Sequence, residues 1–357
     1  MQKKEYIAAL PAMKPPRGSA NVVRLSSNEN ALGPSPLAIA AMQEVLSGIH
    51  RYPDATAWDL RQALAERAGL APETVICSNG SDELLLLSCL AMLREGDEAV
   101  MAQGTFVSYG MRTQEMGAQA VRVPLRADYS HDLEAMLAAI SPRTRMVFVC
   151  NPNNPTGTIQ EPDEIRHFLA QVPEHVLVLM DEAYIDFVSR PDHANLLPEL
   201  RSGRPNLLLL RTFAKIYGLA GIRLGYAYGA PDLISYLDRS RSVFNVNALA
   251  QAAGLAALTD HEHVARSREH AARSRAYLAD ELRALGLRPL PGETNFLAVE
   301  IGEDGRVAEQ MREAGFAVTP LSHWGLPGLL RISFGTDDEN QRFVAALRRV
   351  LSRSAAC

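Results

Sequence analysis

Arg145-Met-Val-Phe-Val-Cys-Asn-Pro-Asn-Asn-Pro-Thr-Gly157 is the stretch that decides the fold. Its apolar run, Met146 to Cys150, has strand length and is rich in β-branched and aromatic residues, and it stops at a turn dense in Asn, Pro and Gly. The same pattern recurs twice: Val176 to Met180 stops at Asp181-Glu-Ala-Tyr184, and Asn206 to Arg211 runs into Thr212-Phe-Ala-Lys-Ile-Tyr-Gly218, followed by Gly221-Ile-Arg223. Further short strands are expected at Val75 to Cys77, Glu98 to Met101, Ala120 to Val123 and Gly225 to Gly229. Between them lie helical patterns over Ser35 to Gly48, over Thr56 to Gly69 with Thr56 as N-cap, and from Gly80-Ser81-Asp82 to Arg94. Short apolar strands alternating with helices predict an α/β fold with a mainly parallel sheet covered on both faces. Functional loops then sit at the strand C-termini.

Outward from this centre the texture changes. Residues 1–30, with Pro11, Pro15 and Pro16, read as an extended N-terminal arm. Residues 31–240 form the large domain. Residues 241–357 read as a smaller α+β domain, with helices at Ala248 to Thr259, His263 to Leu285 and Asp337 to Leu351, and strands at Phe296 to Ile301, Phe316 to Thr319 and Leu329 to Phe334. The chain has 357 residues, 47% hydrophobic and 22% charged, enough for two packed cores.

A net charge of −5 offers no basic excess for nucleic acid. The four cysteines, Cys77, Cys89, Cys150 and Cys357, form no CxxC pair, which predicts reduced thiols in a cytoplasmic protein and no zinc site. The N-terminus lacks an apolar leader, and the run Leu84 to Met92 is too short to span a bilayer, so no membrane association is expected. Neither GxGxxG nor a Walker motif is present, which counts against a nucleotide-binding reading. Thr212-Phe-Ala-Lys215 has threonine where the SxxK hydrolase pattern has serine, and it follows a strand rather than opening a helix. His261-Glu-His263 lacks HExxH spacing, and no metal is expected.

Singly, the three strand-end loops are ordinary: a turn, a helix cap, a solvated lysine. In this order they resemble the class I aminotransferases, enzymes of fold type I dependent on pyridoxal 5'-phosphate (PLP), and within them the histidinol-phosphate aminotransferase branch. The matches run from Leu25 to Thr336. The resemblance implies that Lys215 is the Schiff-base lysine and proton carrier, with Asp181 against the pyridine nitrogen, keeping it protonated. It gives Tyr184 and Asn154 to the phenolic oxygen, with Asn153 as the alternative if the turn is shifted by one residue. Tyr109, in Thr105-Phe-Val-Ser-Tyr-Gly110, would stack on the coenzyme ring. The cofactor phosphate would be held by Gly80, Ser81 and Asp82 at a helix N-terminus, by Arg223, and by Thr212, because Ala214 stands where the family often has a serine. Tyr52 would reach the phosphate of a partner subunit, which implies a homodimer.

Arg331, in Leu330-Arg-Ile-Ser-Phe-Gly-Thr336, matches the arginine that clamps the substrate carboxylate, and Asn30 would line the mouth. Two departures concern the substrate. Thr319 stands where histidinol-phosphate enzymes usually carry a second arginine, and Leu10-Pro-Ala-Met-Lys14 replaces their Pro-Tyr segment, leaving Tyr6 or Lys14 as substitutes. The reaction expected is ping-pong transfer of an amino group between an amine or amino acid and a 2-oxo acid. An aromatic or specialised amino acid could be the substrate, and a PLP-dependent decarboxylase, cyclase or oxidase shares the same cradle.

Overall fold

The computed structural model describes residues 3–12 and 22–354; Met13, Lys14, Pro15, Pro16 and Cys357 lie outside them. The arm is not extended throughout. Glu5–Ala8 forms a helical turn (α1) ahead of Pro11, and Val23–Arg24 (β1) is a short strand. Two helices follow, α2 (Pro36–Val45) and α3 (Trp58–Ala68). Thr56 does not cap α3. Ala57, in the left-handed region, is the N-cap and no side chain caps the helix; Asp54 instead holds the turn before it, accepting from the Thr56 N–H at 3.0 Å and the Trp58 N–H at 2.6 Å.

The chain then alternates β2 (Val75–Ser78), α4 (Ser81–Met92), β3 (Glu98–Ala102), α5 (Val107–Glu115), β4 (Gln119–Val123), α6 (Leu133–Ala138) and β5 (Thr144–Cys150). It continues with α7 (Pro162–Gln171), β6 (Leu177–Asp181), α8 (Leu197–Arg201), β7 (Leu207–Thr212), β8 (Gly225–Gly229) and α9 (Pro231–Asp238). These strands make one seven-stranded sheet in the order β2-β8-β7-β6-β5-β3-β4, and β8 is antiparallel to both of its neighbours. Two-residue periodicity divides the core between the two faces. Val147, Val149, Leu207 and Leu209 belong to one buried cluster, whereas Met146, Phe148, Leu208 and Leu210 belong to the other. Both faces are apolar, as continuous runs of Val, Leu and Ile in a parallel sheet require. The C-termini of β5, β6 and β7 therefore open together at one edge.

Beyond α9 come α10 (Ala248–Thr259), the 24-residue α11 (His261–Ala284), β9 (Arg288–Pro289), β10 (Phe296–Glu300), α12 (Asp304–Glu313), β11 (Phe316–Ala317), β12 (Thr319–Pro320), β13 (Leu329–Ser333) and α13 (Asp337–Ser354). Strands β12, β13, β10 and β9 form an antiparallel sheet in that order. The single strand expected over Phe316 to Thr319 is two. Phe316–Ala317 pairs with β1 of the arm, and Thr319–Pro320 pairs with β13, so the chain changes partner at Val318. Helix α10 packs on α2 and α3, and Gly254 lies against Leu224 and Leu60, so the chain stays with the large sheet past residue 241. It leaves only through α11, which packs on β9, β10 and α13.

Candidate active site

A cavity of about 300 Å³ opens at the C-terminal ends of β5, β6 and β7. Its lining joins the three loops quoted above with Ser27 and Asn28 from the arm, with Arg331 from the smaller sheet and with Trp324 from the turn Ser322–Trp324 between two of that sheet's strands. Lys215 lies at its floor, three residues past β7. Its loop is fastened from outside: the Asn30 amide donates to the Ile216 carbonyl at 2.8 Å and the Ser35 N–H donates to the Tyr217 carbonyl at 3.0 Å. Gly218 adopts φ +68, and a Cβ there would lie 2.1 Å from the Gly33 carbonyl oxygen, so only glycine lets the arm close over this loop. The Lys215 Nζ donates to the Ser27 carbonyl at 3.1 Å. Burial, reinforced by the positive charge of Arg331, lowers its pKa to about 8.

Asp181 ends β6 and turns its carboxylate into the same cavity. It accepts from the Tyr109 hydroxyl at 2.7 Å and from the Ala183 N–H at 3.1 Å. Burial raises its pKa to about 6 against the pull of those two bonds. Tyr109 does not face the cavity as expected. Its ring is fully buried behind Asp181, stacked on Phe148 at 4.8 Å, because its place in the first turn of α5 directs it onto the sheet. The aromatic that lines the cavity here is Phe106, at the N-cap of α5.

At the opposite end Gly80 (φ +81) precedes α4 and provides no side-chain cap, leaving the first N–H groups of the helix for another acceptor. Ser81, Asp82, Thr212 and Arg223 line this end. The Asp82 carboxylate is bound by Arg112, so its negative charge is compensated. A Cβ on Gly80 would lie 2.4 Å from Arg223 Nη2; glycine makes room for the guanidinium. Arg223 itself holds φ +61, an uncommon conformation for a long side chain and one that concentrates at functional sites. The Thr212 hydroxyl accepts from the Ala214 N–H at 3.1 Å, which ties up part of its capacity.

On the third wall the two asparagines differ in placement. Asn153 is locked inside the turn, accepting from the Thr105 hydroxyl at 2.9 Å and donating to Gly104 O at 3.1 Å, whereas Asn154 lines the cavity. Tyr184 lines it too, its hydroxyl accepting from Asn28 Nδ2 at 2.9 Å. Arg331 donates to Asn154 Oδ1 at 2.5 Å, Ser26 O at 2.6 Å and Thr319 Oγ1 at 3.3 Å, and its Nε is buried with no partner. Thr319 thus touches the arginine rather than the cavity. Asn30, expected at the mouth, instead holds the Lys215 loop, with a second bond to Ser267 at 2.9 Å. Tyr6 rests against Gly117, at the start of β4 and the far end of the sheet from the cavity. Tyr52 is 82% exposed, stacks on Phe244 at 4.5 Å and does not line its own cavity. Among the described residues, Lys215, Arg223 and Arg331 form no ion pair, although the Asp181 carboxylate shares their cavity.

The model of the family described as aminotransferase class I and II matches residues 20–347. The chain belongs to the class I and II aminotransferases. The histidinol-phosphate aminotransferase of Moorella thermoacetica is 46% identical over 352 residues, covering 98% of this chain and 91% of the relative. The crystal structure of the histidinol-phosphate aminotransferase from Sinorhizobium meliloti in complex with pyridoxal-5'-phosphate superposes with a TM-score of 0.89 at 30% identity, covering 99% of this chain and 98% of that one. Aspartate aminotransferase from Thermus thermophilus with maleate gives a TM-score of 0.83 at 27% identity, over 92% of each chain. The aminotransferase has the fold-type-I architecture, uses PLP and exchanges an amino group between an amino donor and a 2-oxo acid.

The cavity of this aminotransferase fits that coenzyme: an amine, a carboxylate and an uncapped helix N-terminus beside an arginine are spaced around one volume. The sequence reading missed Phe106, Asn28 and Trp324. Phe106 lay inside a quoted segment and Asn28 two residues before Asn30, but only tertiary packing shows which side chain turns inward. Gly80→Ala is expected to displace Arg223 and weaken PLP binding by about tenfold or more, the worth of one charge-assisted contact. Coenzyme titration by fluorescence measures it, and an unchanged Kd refutes the assignment of this end.

Proposed function

We propose that Lys215 carries PLP in this aminotransferase and moves the proton that interconverts the two amino-group carriers. The observation that supports it best is the placing of the Lys215 amine, its pKa lowered, in one cavity with the buried Asp181 carboxylate and the unpaired Arg331. Bound there, PLP supplies an aldehyde for amine exchange and a ring that draws electrons from the substrate Cα. Asp181 holds a proton at the ring nitrogen, and the Tyr109 hydroxyl and Ala183 N–H keep its carboxylate oriented. Asn154 and Tyr184 would hold the phenolic oxygen, and Arg223, Thr212 and the main-chain N–H groups of Ser81 and Asp82 would hold the phosphate. Arg331, which lines the cavity, clamps the carboxylate of the amino donor or 2-oxo acid. Asn30 and Ser35 hold the backbone that carries Lys215 in place through the Ile216 and Tyr217 carbonyls.

The same reading includes a homodimer. Tyr52 points away from its own cavity, and Ile49 and Val243 are also exposed, 61% and 72%, which suits a tyrosine delivered to a partner's phosphate end. It divides the chain into an arm, a large PLP-binding unit and a small C-terminal unit, with the boundary moved from 240/241 to the α10–α11 junction near Asp260. It places the enzyme in the cytoplasm, which the unpaired buried thiols of Cys77, Cys89 and Cys150 support. Among the described residues no helix is long and apolar enough to cross a membrane.

Product analysis tests the reaction. With an amino donor and 2-oxoglutarate the enzyme is expected to form glutamate and the donor's oxo product in equal amounts. Release of carbon dioxide, ammonia or peroxide from the donor without a 2-oxo acid contradicts transamination.

A further inference from the structure

Tyr184 stands at the end of a hydrogen-bond chain that runs in one direction. The Asn28 main-chain N–H donates to Ser333 Oγ at 2.9 Å, and the Ser333 hydroxyl sends its own proton to Asn28 Oδ1 at 2.7 Å. A carboxamide whose oxygen is taken by that hydroxyl presents its NH2 group on the other side. There Asn28 Nδ2 donates to the Tyr184 hydroxyl oxygen at 2.9 Å. A flipped amide would remove the acceptor of the Ser333 proton and draw the Tyr184 proton out of the cavity. All three residues are buried, so water competes poorly for these bonds.

Both ends of the chain are fixed. Asn28 holds φ +54, a left-handed conformation that asparagine tolerates better than most residues. Asn295 Nδ2 donates to the carbonyls of Asn28 at 3.0 Å and Glu29 at 3.1 Å, which pins the backbone on either side of the peptide. Ser333 ends β13, where its N–H donates to the Leu25 carbonyl at 2.9 Å and ties the strand to the arm. The Tyr184 ring lies edge-on to Phe296 with centroids 5.1 Å apart. Burial raises the Tyr184 pKa against the pull of Arg331 and of the Asn28 bond, so the phenol keeps its proton at neutral pH. The ionisable groups around that phenol are Arg331, Lys215, Asp181 and Cys150. With its oxygen engaged by Asn28, Tyr184 has its proton to give on the side that lines the cavity.

We propose that Asn28 is a positioning residue that sets the direction of the Tyr184 hydroxyl: the relay from Ser333 through Asn28 turns the phenol proton into the cavity, toward the phenolic oxygen of the coenzyme. The inference rests on the reading above that Tyr184 meets that oxygen.

A hydrogen bond donated to the phenolic oxygen steadies its negative charge and so lowers the pH at which the attached Lys215 nitrogen loses its proton. The visible absorbance of the holoenzyme, titrated with pH, reports that midpoint. Tyr184→Phe is expected to raise it by about one pH unit, the size of one charge-assisted hydrogen bond. Asn28→Asp keeps the size and the backbone conformation but replaces a donor with an acceptor, and is expected to raise it by a similar amount. Asn28→Gly empties the position and suits φ +54, and is expected to move it by less than about half as much. A purely structural role for Asn28 predicts the reverse order, and that order overturns the inference. Ser333→Ala leaves Asn28 in place and releases its amide; it is expected to move the midpoint upward too, and no movement overturns the relay. In the Tyr184→Phe background Asn28→Asp is expected to add nothing. A shift that persists there is the aspartate's charge acting directly, which also overturns the inference. If Tyr184→Phe itself leaves the midpoint in place, the reading of Tyr184 fails and this inference with it; a shift in Tyr184→Phe with none in Asn28→Asp overturns the inference alone.

Discussion

Lys215→Ala is expected to lower kcat by about 10⁴-fold or more, the upper range for a positioned proton-transfer group that is also the covalent anchor. The loss should not come from unfolding. The Lys215 ammonium makes one hydrogen bond to the Ser27 carbonyl and lies close enough to Arg331 for their like charges to oppose each other, so removing it relieves repulsion as well as one contact. Thermal unfolding of the ligand-free variant should stay within a few degrees of wild type. The same geometry sets a pH dependence. An amine whose pKa is lowered to about 8 sheds its proton at a lower pH than an ordinary lysine. Capture of added PLP by the apoprotein should therefore quicken about tenfold per pH unit up to 8 and level off above it. A rate still climbing between pH 9 and 10 contradicts the depressed value.

The second large effect is on Asp181. Asp181→Asn keeps an acceptor for the Tyr109 hydroxyl and removes the charge, so kcat/KM is expected to fall by about 10²- to 10³-fold, the range for losing one preorganised electrostatic partner. Stability should move the other way. The folded-state pKa, raised to about 6, lies above the ordinary 3.8, so the folded protein binds this proton more tightly than the unfolded chain. The carboxylate therefore destabilises the ligand-free protein above pH 6, by an amount on the order of 3 kcal/mol, and that cost vanishes below about pH 4. Asp181→Asn is accordingly expected to raise the Tm of the apoprotein at pH 8 and to leave it unchanged at pH 4. A variant both inactive and destabilised at pH 8 would show that Asp181 holds the fold together rather than serving the coenzyme.

The large sheet was legible because its strands are apolar on both faces and end on polar turns; Met146 to Cys150 needed no partner to be read as a strand. Lys215, Asp181 and Arg331 were singled out by the resemblance to the class I aminotransferases; alone they read as a solvated lysine, a helix cap and a strand residue. What escaped were choices made by packing. Tyr109 and Phe106 sit three residues apart at the start of one helix, and which ring faces the cavity depends on Phe148 beneath them. Asn30 is the more mouth-like residue in sequence, yet its amide is taken by the Ile216 carbonyl, and Asn28, at φ +54, turns inward instead. Thr56 spends its hydroxyl on the Asp54 carboxylate, and the helix starts one residue later, from Ala57. The strand at Phe316 split because β1, far earlier in the chain, pairs with only its first half.

The most direct measurement is borohydride reduction of the holoenzyme followed by peptide mass spectrometry. The account predicts one reduced pyridoxyl phosphate per chain, on the peptide that contains Lys215. The label on any other lysine, or none at all, contradicts it.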